Sequence, residues 1–64
     1  MKPVALINKK YEKKVNRLAT IKNTMHHLDR FMVEDIQYRM NINNPISYYD
    51  TVWINSIYKK AFEL

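Results

Sequence analysis

No glycine occurs anywhere in the 64 residues. That absence constrains the fold more than any other feature of the chain. Glycine enters φ > 0 without steric cost, and tight β-hairpins, phosphate-cradling loops and dinucleotide-binding turns depend on it. A chain without it is steered toward helices, joined by turns that other residues must make. Cysteine is absent too, which removes disulfides and thiolate zinc sites and says nothing about redox compartment. A domain this small buries only ~60% of the surface its unfolded chain exposes. With those reinforcements gone, oligomerisation or docking on a partner is the support that remains. The hydrophobic content of 47% belongs to a folded chain rather than a disordered tail. One helical domain over residues 1–64 is the expectation.

Between residues 5 and 40 nothing breaks a helix, since the two prolines are Pro3 and Pro45. Apolar residues recur at Ile7, Tyr11, Leu18, Ile21, Met25, Leu28 and Met32, with Val15 and Ile36 beside the stripe. The steps are threes and fours, the rhythm of a coiled-coil seam, with Lys14 and Asp35 at two expected core positions. The run MNINNPISYYD then ends the helix near residues 40–42, because asparagine is a poor helix former and the residue before proline avoids helical geometry. A second helix starts either with Asn44 as cap and Pro45 in its first turn, or with Ser47 and Asp50 as a capping box. It presents Ile46, Tyr49, Trp53, Ile57 and Leu64 on one side and Ile54, Tyr58 and Phe62 on another.

The pattern predicts an all-α helical hairpin, with a long helix over about 5–41 and a shorter one over about 45–63. At 1.5 Å per residue these are ~52 Å and ~28 Å long, so the short helix leaves half of the long one bare. Self-association, a dimer first, would cover that half. The alternative is a three-helix bundle with a break near Asn23–Thr24, Thr24 as cap, and segments near 5–22, 25–40 and 46–63. The hairpin is preferred because the apolar rhythm runs through residues 23–24 without a slip.

The stretch TIKNTMHHLDRFM places two histidines beside Asp29 and Arg30. A helical metal site needs strong ligands at i and i+4 and a third from elsewhere. His26 with Asp29, three residues on, gives one possible pair that nothing completes, and Lys22 and Arg30 set positive charge where a cation would sit. General acid–base chemistry needs a pocket and a positioned partner, and a chain this small offers little of either. The two histidines therefore read as flank residues of a continuous helix, able at most to make an interface sensitive to pH. No catalytic residue, metal or cofactor is expected.

The net charge of +5 is uneven. Residues 1–22 hold seven basic side chains against Glu12 alone, while the rest of the chain is close to neutral. On a helical projection Lys9, Lys10, Lys13, Lys14 and Arg17 fall within an arc of about 140°. Clustered charge of this kind suits a phosphate backbone or an acidic protein surface. Lysine rather than arginine dominates, so strong sequence preference is not expected. The aromatics of the second helix would add a stacking platform only where packing brings lysines beside them.

Two functional expectations follow. The first is a small non-enzymatic interaction protein, a regulator, inhibitor or assembly factor, that binds a protein partner through Leu18, Ile21, Met25, Leu28, Met32, Trp53, Ile54, Tyr58 and Phe62. The second is a nucleic-acid-binding protein that uses Lys9, Lys10, Lys13, Lys14 and Arg17. With no apolar run near the ~20 residues of a membrane span and no secretory leader pattern, a cytoplasmic location is expected. A composition leaning to Lys, Asn, Ile, Tyr and Met matches AT-rich codons, as in a phage, a parasite or an AT-rich bacterium.

Overall fold

The structure, a computed structural model, describes residues 5–63, which are all-helical with three helices and no strand. Helix α1 spans Leu6–Thr20, α2 His27–Asn41 and α3 Tyr48–Phe62. A 3-10 turn, Lys22–Thr24, sits between the first two.

The single helix expected over about 5–41 is therefore interrupted, and the greatest extent of the molecule, 37 Å, is too short to hold one of ~52 Å. The cause is local. The Thr20 hydroxyl donates to the Arg17 carbonyl at 2.6 Å and the Thr24 hydroxyl to the Ile21 carbonyl at 2.7 Å. Such back-bonding competes with the helical ladder. Met25 and His26 then turn extended, with ψ of 159° and 143°. Thr24 is not the cap of the new helix. His26 is, its Nδ1 accepting the Leu28 N–H at 3.3 Å.

The break resets the rotation of the chain, and the core changes accordingly. The buried apolar residues are Val15, Leu18, Val33, Ile36, Ile46 and Ile54, all at most 3% exposed. On α1 the inward row is Asn8, Tyr11, Val15 and Leu18, not a row through Lys14. On α2 it is Val33, Ile36 and Met40. Val15 and Ile36, placed beside the stripe by the sequence pattern, are its centre. Leu28, placed on it, is 61% exposed. Burial of each large side chain in this core contributes on the order of 1.5–3 kcal/mol.

The second junction is built differently. Asn43 takes φ of 59° and supplies the left-handed residue that glycine would otherwise provide. Its N–H donates to the Met40 carbonyl at 3.0 Å and the Asn44 N–H to the Arg39 carbonyl at 2.8 Å. These two bonds make a Schellman motif at the end of α2. The Asn43 Oδ1 also accepts the Ala5 N–H at 3.0 Å, satisfying one amide at the start of α1, which has no side-chain cap of its own.

Asn8, 2% exposed, holds the same loop from the other side. Its Nδ2 donates to the Asn44 carbonyl and its Oδ1 accepts the Ile46 N–H, both at 2.9 Å. A buried carboxamide is tolerated when both of its ends are bonded. Ile46 is thereby pinned into the core, and α3 begins beyond it with Ser47 as its cap. Of the two start signals, the capping box is the one used: Asp50 N–H donates to Ser47 Oγ at 3.1 Å and Ser47 N–H to Asp50 Oδ2 at 2.8 Å.

Asp50 has a second role. Arg39 of α2 grips it with both terminal nitrogens, at 2.7 and 3.1 Å, and also reaches Asp35 at 3.0 Å. The hydrogen bonds from Arg39 hold the Asp50 carboxyl below the usual carboxylate range despite burial, and the Ser47 N–H and hydroxyl act in the same sense. Arg39 Nε is buried without an acceptor among the described residues, which limits what the cluster contributes.

Candidate functional site

The histidine pair opens α2 rather than lying along a continuous helix. His26 commits its Nδ1 to the cap, and His27 meets the edge of Phe31 with ring centroids 6.4 Å apart. Lys22 and Arg30 both turn to Glu34, at 3.7 and 3.9 Å. Among the described residues no group of three His, Cys, Asp or Glu side chains is placed to hold a metal ion. No helix there is long and apolar enough to cross a membrane.

The basic residues of α1 sit on three sides of one ridge. Lys14 and Arg17 turn toward α3. Lys14 Nζ donates to Asn55 Oδ1 at 2.9 Å and lies 5.2 Å from the Tyr58 ring centroid. Arg17 donates to the Tyr58 hydroxyl at 2.8 Å and lays its guanidinium 4.2 Å from the centre of the Phe62 ring. Lys10 lies 5.8 Å from the ring of Tyr11. Packing thus brings first-helix cations beside second-stripe aromatics, the juxtaposition a stacking platform requires. Lys13 is exposed. Lys59 follows Asn55 by one helical turn, about 40° further round α3, and extends the same surface.

All ion pairs of the described residues involve Lys22, Arg30 or Arg39. Lys9, Lys10, Lys13, Lys14, Arg17 and Lys59 have no carboxylate within 4.0 Å among those residues. Their charge is uncompensated, and the Lys14 and Arg17 heads are held in place by neutral partners.

On its opposite flank α1 borders a groove of about 260 Å³ shared with α2. Lys9, Glu12 and Asn16 line it from one helix and Gln37 and Asn41 from the other, with the buried Asn8 and half-buried Met40 completing it. The side chains of Asn16, Gln37 and Asn41 make no hydrogen bond with any described residue. This groove left no trace in the apolar periodicity. The only signal available was the run of carboxamides at positions 8, 16, 37 and 41.

The residues expected to meet a protein partner are scattered. Leu18 and Ile54 are fully buried in the core of the chain itself. Ile21, Met25, Met32 and Trp53 are half-buried, and Tyr58 and Phe62 lie under Lys14 and Arg17. The exposed apolar surface lies elsewhere. Leu28, Phe31, Tyr38 and Ile42, between 56% and 62% exposed, run down the outer side of α2 in steps of three and four around Asp35. Tyr48 and Tyr49 form a second exposed group where α3 begins.

In comparison with known proteins, the chain matches no family model, no curated protein and no solved structure.

Proposed function

We propose that this is a small non-enzymatic interaction protein that binds and modulates a negatively charged macromolecule through the α1 ridge and the adjoining edge of α3. The observation that carries this reading is the row of cations without carboxylates, Lys9, Lys10, Lys13, Lys14, Arg17 and Lys59, beside α2, whose own cations are paired. Uncompensated charge on one face raises the local concentration of an oppositely charged partner and speeds its docking. Tyr58 and Phe62 fix the Arg17 head in advance, so less side-chain entropy is lost on binding. The test is retention on a phosphate-rich matrix across a salt gradient. Binding should weaken steeply with salt, and Lys10→Glu/Lys13→Glu/Arg17→Glu should abolish it while the helical circular dichroism stays. Retention that survives in that variant overturns the reading.

The exposed stripe of α2 favours a second contact. Leu28, Phe31, Tyr38 and Ile42 have the spacing of a helix-pairing face, and self-association through it, a dimer first, is the accompanying proposal. Light scattering over a dilution series tests it: Phe31→Glu/Tyr38→Glu should lower the mass of the wild-type assembly to that of the single chain. A monomeric wild type overturns it.

A further inference from the structure

We infer that the groove between α1 and α2 is a subsite for an unpaired nucleobase bearing an exocyclic amine, so that the macromolecule on the basic ridge is a single-stranded nucleic acid. This rests on the proposed polyanion-binding reading and adds the chemical class of the partner.

Position is the first observation. Lys9 belongs both to the cationic ridge and to the lining of the groove, and Lys13 lies one turn further along α1. A phosphate neutralised on the ridge sets the attached sugar and base at the mouth of the groove. The second is the chemistry of the lining. Asn16, Gln37 and Asn41 each present an amide donor and an amide acceptor with no partner among the described residues. A base edge has the same alternation of donors and acceptors, and a side-chain amide matches it with two hydrogen bonds, as in the pairing of Asn or Gln with adenine. Glu12, which forms no ion pair among the described residues, adds an acceptor with no donor to offer. It favours an amino group and repels the paired carbonyls of thymine or uracil. The third is size. About 260 Å³ is slightly below the usual range for drug-sized ligands and suits one base.

A protein partner is the rival for the ridge. Protein interfaces are built around apolar and aromatic anchors and are poor in lysine at their centre. Of the exposed large apolar residues, Leu6 alone stands beside the lysine row on α1, while the others, among them Phe31, Tyr38 and Tyr49, belong to α2 and α3 or their ends. A duplex is the rival nucleic acid, but its bases are stacked and paired, and a groove of this size cannot receive one without flipping it.

Fluorescence anisotropy with labelled oligo(dA), oligo(dC), oligo(dT) and a mixed duplex of equal length tests the inference on the full chain. Oligo(dA) and oligo(dC) should bind about tenfold tighter than oligo(dT), and the duplex more weakly than either. In Asn16→Ala/Asn41→Ala, two exposed side chains without hydrogen bonds, the preference should collapse while affinity for oligo(dT) persists. In Glu12→Gln all affinities should rise and the ratio of oligo(dA) to oligo(dT) should fall. Equal binding of the three single strands, duplex binding as tight as theirs, or a preference that survives in the groove variants overturns the groove assignment and leaves the basic ridge standing. Absence of binding to every nucleic acid at low salt overturns both readings.

Discussion

Two faces of this molecule treat positive charge in opposite ways. On α2, Lys22 and Arg30 share Glu34, and Arg39 bridges Asp35 and Asp50. On α1 and the adjoining edge of α3, six cations meet only amides, hydroxyls and rings, or nothing at all. On the first face the cations are matched by carboxylates, with Arg39 joining α2 to α3, and on the second they are not. Arg39 is an internal tie, 24% exposed and gripping an acid that also caps a helix. Lys13 makes no tie within the described residues, and Arg17 meets only the Tyr58 hydroxyl and the Tyr58 and Phe62 rings, so reversing their sign should cost the fold less than losing Arg39.

That contrast can be probed by a pair of substitutions with opposite readouts. Lys13→Glu/Arg17→Glu should weaken binding to a phosphate polymer on the order of 100-fold and lower the slope of log K against log salt by about 0.7 for each phosphate no longer neutralised. Its urea midpoint should move little. Arg39→Met should do the reverse, leaving phosphate binding nearly intact while costing about 2–3 kcal/mol of stability, because it abandons a buried carboxylate. Equal effects of both changes on both measurements would erase the distinction.

The pH dependence follows from the same tie. Asp50 has a lowered pKa in the folded chain, chiefly through its bonds to Arg39. Its stabilisation is therefore complete above the ordinary carboxylate range and is lost as pH falls through the lowered value. Thermal unfolding followed from neutral to acidic pH should show that loss, and Asp50→Asn should start less stable and respond less to acid. The junctions give the smaller effects. Asn43→Ala should cost about 1–2 kcal/mol, since alanine gains nothing at φ > 0 and drops the acceptor for Ala5. His26→Asp should add about 0.5 kcal/mol near neutral pH by putting a better acceptor and a negative charge at the start of α2. Chemical denaturation resolves both.

Much of the helical content was readable because nothing interrupts it in composition, and the Ser47–Asp50 cap was visible as a short-range spacing. The break at residues 21–26 was harder. It depends on two threonine hydroxyls and a pair of extended residues, none of which disturbs the apolar rhythm. Once the helix stops and restarts, the phase of α2 no longer continues that of α1. Leu28 therefore emerged outside and Val33 inside. The groove was invisible for a different reason. Its members come from positions 8–16 and 37–41, and only the antiparallel return of the chain brings them together. Asn8 was overlooked because an asparagine inside an amphipathic helix reads as surface until its two partners, 36 and 38 residues away, are known.

Those separations matter for how the chain folds in time. The first turn is stitched by bonds between residues three apart, whereas the Asn8 clamp must close a loop of more than half the chain before it returns any free energy. Loop closure of this kind is entropically costly and tends to come after local structure. The clamp then acts as a latch on an assembled molecule rather than a seed for assembling it. Its loss should appear mainly in the unfolding rate, with the folding rate nearly unchanged. Asn8 thus sets how long the ridge and the groove stay together once they have met.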